Sequence, residues 1–269
     1  MCSTIVGVTA GGNLRRPLLQ RLGPRTLADV RVEIPPMSWA RLSRRASIGI
    51  AAGVTAFAAT AALALTQNGG FGSAPLPLAA HSTLGHLSPI AAVGPLGPEG
   101  VPIPRAPALA RARLLGSGEQ IDGITCQTNT QVLFHIHAHL TIFVRGVARR
   151  TPAGVGVAPP YEVEETPAGA FVAGASCFMW LHTHSADGII HTESPIDRIY
   201  TLGDFFDIWG QRLDRQRVGP ARGAVTAFLN GQVYTGNPRE IPLLAHAQIQ
   251  LEVGRPLIAP EQITFPQGL

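Results

Sequence analysis

The stretch that decides the fold reads Val132-Leu-Phe-His-Ile-His-Ala-His-Leu-Thr-Ile-Phe-Val144. Every second residue from Val132 to Val144 is apolar, and His135, His137 and His139 occupy three successive intervening positions, followed by Thr and Phe. Successive side chains of a β-strand point to opposite faces. The alternation therefore predicts a strand with one face on a core and a histidine face toward a pocket or a second layer.

A second group of histidines follows in Leu181-His-Thr-His-Ser-Ala-Asp-Gly-Ile-Ile-His-Thr-Glu193. The dipeptide at 187–188, Asp-Gly, is typical of a two-residue type I′ hairpin turn. Such a turn predicts that His184 lies opposite His191 and that His182 lies opposite Glu193, all on one face. A four-residue loop over 185–188 would keep the same side chains on that face, and a three-residue loop would not.

These clustered histidines predict a site for a divalent transition metal, because imidazole is the commonest ligand for such ions and crowded, unpaired imidazoles are costly to bury. The site is expected to be mononuclear or closely paired, with Glu193 as a ligand or as a partner that orients an imidazole. Seven donors exceed the four of a closed zinc site, so at least one imidazole should not bind directly. The alternative is a proton-relay or pH-sensing cluster. The candidate ligands are His135, His137, His139, His182, His184, His191 and Glu193.

The chain contains only three methionines, whereas Cu(I) carriers favour soft sulfur ligands. Zn(II), Cu(II) or an Fe or Mn ion is therefore expected. The favoured function is binding or sensing this metal. A metal-dependent hydrolase or a cupin-like oxidoreductase is the alternative, and it needs an acid or base beside an open coordination position. Glu193 and Asp187 are the candidates, although the turn itself also prefers Asp. A structural or interaction protein is the third possibility.

Charge and composition exclude several classes of protein. The 269-residue chain has 21 basic residues, all of them arginine. Schiff-base lysines, Ser-x-x-Lys nucleophiles and P-loops are therefore excluded. The net charge of +4 combines a basic region over 1–116 (+8) with an acidic region over 117–269 (−4). The acidic region lacks the basic patch that nucleic-acid binding requires.

The chain is expected to have four regions. Residues 1–45 form a cytoplasmic tail or signal n-region, and residues 1–36 are expected to precede the true start, since Met37 opens an ordinary n-region. Twenty uncharged residues over 46–65 are long enough to cross a bilayer. They follow Arg41, Arg44 and Arg45, so either a signal peptide or an uncleaved membrane anchor would export the remainder. Residues 66–118 are rich in Gly and Pro and read as a disordered linker. Residues 119–269 form the exported domain.

This domain is predicted to be all-β, a sandwich or barrel-like fold of antiparallel hairpins with one packed short helix. Asn230-Gly231 indicates a second hairpin, residues 249–253 a late strand, and Thr201 the cap of an aromatic helix. Cys126 and Cys177 are expected to form a disulfide in an oxidising compartment. Ligation by Cys177 is the alternative, but its odd offset from His182 puts it on the opposite strand face.

The strings His135-Ile-His-Ala-His-Leu140 and Leu181-His-Thr-His-Ser-Ala-Asp-Gly-Ile-Ile-His-Thr-Glu-Ser-Pro195 resemble the motifs of a family of uncharacterised exported proteins of bacteria and archaea. The resemblance covers about residues 119–269. It implies an exported domain and brings no established activity. Cupins also place His-x-His on a strand, but here Glu193 comes after the third histidine, so that comparison is only an analogy.

Overall fold

The computed structural model describes residues 75–90, 93–129 and 131–269. The expected tail and the 46–65 segment lie outside these ranges, as do residues 66–74 of the expected linker. Within the described ranges, no helix has the length and apolar character needed to span a membrane. These ranges contain mainly β-strands, with one α-helix and two short 3-10 helices (His81–Leu84 and Pro238–Glu240).

The strands and the helix follow one another along the chain as β1 (Leu78–Ala79), β2 (Gln120–Ile121), β3 (Ile124–Gln127), β4 (Phe134–Val144), β5 (Val147–Arg149), β6 (Val157–Thr166), β7 (Gly169–Met179), β8 (Leu181–His182), β9 (Ile189–Ser194), β10 (Tyr200–Thr201), α1 (Leu202–Trp209), β11 (Leu213–Asp214), β12 (Arg217–Val218), β13 (Ala221–Arg222), β14 (Val225–Leu229), β15 (Gln232–Tyr234), β16 (Pro242–Leu243) and β17 (Gln248–Val253).

The largest sheet has eight strands in the order β1-β15-β14-β17-β4-β9-β8, with β5 paired to β4. A four-stranded sheet has the order β2-β3-β7-β6. The described part is therefore mostly antiparallel β-structure with one short helix, which confirms the predicted fold class. The pairing of β4 with β17 is parallel, and side-chain alternation, which reports faces and not strand direction, did not indicate it.

The predicted hairpin turn at Asn230-Gly231 and the predicted helix cap at Thr201 are both confirmed. Leu229 pairs with Gln232 across Asn230 and Gly231, which both have positive φ (51° and 79°), as a type I′ turn requires. Thr201 caps α1 through a capping box, and Gly210 ends the helix in the left-handed conformation.

The core lies on the apolar face of β4. Ala138, Leu140 and Ile142 are buried there with Phe205, Phe206 and Trp209 of α1 and with apolar residues of β14 and β17. Val132, which was predicted to open the buried face, is 76% exposed, and β4 begins at Phe134. The aromatic stripe of the helix is therefore core, and the opposite face of β4 carries the histidines.

The expected disulfide is present between Cys126 and Cys177, whose Cα atoms lie 5.4 Å apart. It joins β3 to β7 within the four-stranded sheet. Disulfides persist in oxidising environments, so this bond indicates an extracytoplasmic compartment. It also removes both thiols from any set of metal ligands.

Residues 93–118, expected to belong to a solvated linker, instead pack on the β-domain. Val101, Leu109 and Leu115 are buried, and the Leu109 amide donates to the Arg150 carbonyl. The many prolines explain how an irregular segment can cover a sheet, since proline has no N–H that would need a partner. The folded unit thus extends to the N-terminal side of residue 119.

Candidate metal centre

Three neighbouring strands bring the histidines together. On the central strand of the three, β9, His191 pairs with His137 of β4 on one side and with His182 of β8 on the other. Glu193 pairs with His135 one step further along. Directly paired residues point to the same face, so the three strands present one continuous imidazole and carboxylate surface.

The register predicted from a two-residue turn was wrong by two residues, and the observed register is the one that the alternative four-residue loop over 185–188 gives. His182, not His184, lies opposite His191, and the Glu193 amide donates to the Trp180 carbonyl. Gly188 has a φ of 93° but Asp187 is not in the left-handed region, so the turn is not type I′. A shift of two residues preserves the face of every side chain, which is why the predicted cluster survives a wrong turn.

The loop between β8 and β9 forms backbone hydrogen bonds with residues outside the hairpin. The Thr183 amide donates to the Val155 carbonyl, and the Val172 amide donates to the carbonyl of His184. His184 is also stacked on Phe171, with 4.8 Å between the ring centroids. Tertiary contacts with β7 and the chain before β6 therefore position His184 more strongly than the Asp-Gly turn does.

His182 and His184 hold their rings in fixed tautomers. Nδ1 of His182 donates to the Met179 carbonyl at 2.8 Å, and Nδ1 of His184 donates to the Val172 carbonyl at 2.6 Å. A neutral imidazole has one N–H, so each Nε2 carries a lone pair. These two Nε2 atoms face each other at 3.1 Å.

Two facing lone pairs repel each other, and a cation bound to both would remove the repulsion. Bonds of about 2.0–2.1 Å with tetrahedral angles place two nitrogen ligands roughly 3.3 Å apart, close to the observed 3.1 Å. A proton is the poorer solution, because burial, reinforced by the neighbouring His184 and His191, holds the pKa of His182 well below its ordinary value.

His191 is oriented by a carboxylate from the N-terminal side of the domain. Its Nε2 lies 2.6 Å from Oε1 of Glu99, and Oε2 of Glu99 accepts a hydrogen bond from Ser185 at 2.9 Å. If Nε2 carries the hydrogen that is donated to Glu99, Nδ1 carries a lone pair that is free to bind a metal ion. This Nδ1 is buried and has no hydrogen-bond partner. Carboxylate–histidine pairs of this kind commonly orient metal-binding imidazoles.

The donor atoms form two groups. In the inner group, one atom each from His182, His184, His191 and Glu193 lie within 4.8 Å of one another. In the outer group, the same holds for His135, His137 and His191. The described part of the chain thus contains a buried histidine–carboxylate cluster with the geometry to hold a metal ion.

The outer group is more open than the inner one. Nε2 of His135 lies 3.1 Å from Nε2 of His137 and 3.3 Å from Oε1 of Glu193. The side chain of His135 is 39% exposed, whereas His182 is fully buried. Burial lowers the pKa of His137 to about 4 and raises the pKa of Glu193.

Two predicted residues lie outside both groups. Nε2 of His139 donates to the Asp187 carbonyl at 2.9 Å, and His139 pairs with Ile189 rather than with a histidine. The carboxyl of Asp187 interacts with Glu99 instead of with the imidazoles, and burial followed by this neighbour raises its pKa to about 7. Six of the seven candidate ligands are therefore brought together, without His139.

The residue that sequence reasoning missed is Glu99. It comes from the segment expected to be a linker and reaches His191 across 92 positions of sequence. The one available signal was its isolation, since residues 1–116 contain three acids in all, the other two being Asp29 and Glu33.

Comparison of the chain with protein-family models, curated proteins and solved structures finds no match. The geometry and chemistry of the cluster therefore carry the functional argument.

Proposed function

We propose that this protein is an extracytoplasmic metal-binding domain that holds a divalent transition ion on His182, His184, His191 and Glu193, and that it binds or senses metal there. The observation that carries the proposal is the pair of Nε2 lone pairs facing each other at 3.1 Å, with both Nδ1 atoms committed to backbone carbonyls. Without a cation this arrangement is repulsive, and a cation makes it favourable.

The donor set favours particular ions. Three imidazoles and one carboxylate match the number and type of ligands in four-coordinate zinc sites. Cu(II) and, through the carboxylate, Fe or Mn also accept such donors. Cu(I) is disfavoured, because both cysteines of the domain are in the disulfide.

The proposed location is the exterior of the cell, either tethered to the membrane or secreted. The disulfide supports this location. The anchor or signal proposed at 46–65 predicts that the protein is recovered in membrane or secreted fractions. Recovery of the intact full-length chain from cytosol would contradict the proposal.

The direct test is metal analysis of the full-length protein purified without chelator. We expect bound metal in the wild type, and its loss in the His182→Ala plus His184→Ala double variant. His246→Ala is the matched control, because His246 is exposed and bonds the carbonyl of Leu269, outside both groups. Metal content that the double variant leaves unchanged would reject the site. Metal-free wild type would favour a structural or interaction role instead.

A metal-dependent enzyme is the second candidate, and one observation favours it. Glu193 has a buried Oε2 without a partner, beside the solvent-exposed His135, where a substrate could approach. An enzyme predicts that Glu193→Gln abolishes hydrolytic or oxidative activity with metal content unchanged. Against it, the cavity of about 430 Å³ lined by Thr141, Phe143 and Ile258 includes none of the six clustered residues.

A further inference from the structure

We propose that the cluster holds two cations rather than one. The inner ion binds His182, His184 and His191, the outer ion binds His135 and His137, and the carboxylate of Glu193 lies between them with one oxygen for each ion. This inference rests on the proposed metal-binding function and adds a second ion to it.

The first argument is the number of donors. The two groups share His191 alone, and five imidazoles with a carboxylate exceed the four ligands of a single zinc ion. His191 cannot bridge two ions through its two nitrogens, because its Nε2 is engaged by Glu99. Its Nδ1 therefore serves one ion, and the outer group needs a different third donor.

Glu193 supplies that donor. Its Oε1 lies 3.3 Å from Nε2 of His135 and 3.8 Å from Nδ1 of His191, at the junction of the two groups. Its Oε2 is buried and has no hydrogen-bond partner. A carboxylate has two acceptor oxygens, so Glu193 can bind an ion on each side. Metal pairs in proteins commonly lie roughly 3.5–4 Å apart.

The outer histidines repeat the spacing of the inner pair. The Nε2 atoms of His135 and His137 are 3.1 Å apart, the same separation as between His182 and His184. Both spacings suit two bonds to one ion. The environments differ, since His135 lies at the solvent edge and the inner pair is buried. The outer ion should therefore exchange with chelators before the inner ion does.

The stoichiometry of Zn(II) bound by the purified full-length protein tests this inference. We expect two equivalents in the wild type, two in a His246→Gln control, and one in the His135→Gln plus His137→Gln double variant. One equivalent in the wild type, or two in the double variant, would overturn the second site and leave the proposed function standing. No bound zinc in the wild type would overturn both.

A second measurement needs no variant and so does not depend on the stability of one. With the wild type loaded with Cu(II), two ions held about 4 Å apart should show magnetic coupling in electron paramagnetic resonance. The integrated signal per bound copper should then be lower than for an isolated ion. An uncoupled signal of full intensity from two bound coppers would overturn the shared position of Glu193.

Discussion

Removing the charge of Glu99 should weaken metal binding without touching a proposed ligand. Oε1 of Glu99 lies 2.6 Å from Nε2 of His191, and Oε2 accepts from Ser185. A hydrogen bond to a charged acceptor is stronger than one to a neutral acceptor, and residues that orient a metal-binding histidine contribute about 10–100-fold to affinity. Glu99→Gln keeps a neutral hydrogen bond and should therefore lie at the lower end, about tenfold in affinity or roughly 1.4 kcal/mol.

Glu99→Ala removes the partner altogether and should cost more, up to about a hundredfold, the upper range for residues that orient a metal-binding histidine. Zinc affinity measured by competition with a chromophoric chelator would report both variants. Glu119→Gln is the matched control, because Glu119 pairs with Arg113 at the surface. Affinities of both Glu99 variants that equal the wild-type value would refute the role of Glu99 and weaken the assignment of His191 as a ligand.

Three further predictions concern stability. Glu252 is fully buried with one unpartnered oxygen, and burial raises its pKa from 4.5 to about 7. The folded state therefore holds the proton more tightly than the unfolded state, and this stabilisation is present below pH 4.5 and lost as the pH rises to about 7. As the pH rises from 4.5 to about 7, Glu252→Gln should gain about 3 kcal/mol of stability relative to wild type, and denaturant titrations at both pH values with no such difference would contradict it. Replacing Cys126 and Cys177 by Ala opens a loop of 51 positions and should cost about 4 kcal/mol in the chain-entropy account; reductant should then lower the melting temperature of the wild type alone. Thr201→Ala removes the cap of α1 and should cost about 1 kcal/mol, whereas an unchanged melting temperature would show that packing alone holds the helix.

Features with local causes were predictable. The Asn230-Gly231 turn depends on two residues that tolerate positive φ, and the capping box of α1 depends on Thr201 and Asp204. The Cys126–Cys177 disulfide was predictable for a different reason, since these are the two cysteines of the predicted exported region. The turn and cap signals are complete within a few residues of sequence.

The Asp187-Gly188 turn shows where local signals failed. Its dipeptide favours a tight hairpin, but the hydrogen bonds of Thr183 with Val155 and of His184 with Val172 hold the loop open. The linker prediction failed for a related reason. Composition gives the number of Gly and Pro residues in a segment, but it does not indicate that Val101 and Leu109 are buried against the rest of the domain.

The sequence by itself determined which side chains share a face, because the two-residue period of a strand is a local property that survives even a shifted register. Only the tertiary structure decided which histidines lie opposite each other, which nitrogen of each ring is free, and that Glu99 holds His191. These properties depend on partners far away in sequence, such as the Val172 carbonyl for His184 and the Glu99 carboxylate 92 positions from His191. The division between the inner and outer groups is therefore a consequence of packing, although every histidine in them was visible in the sequence.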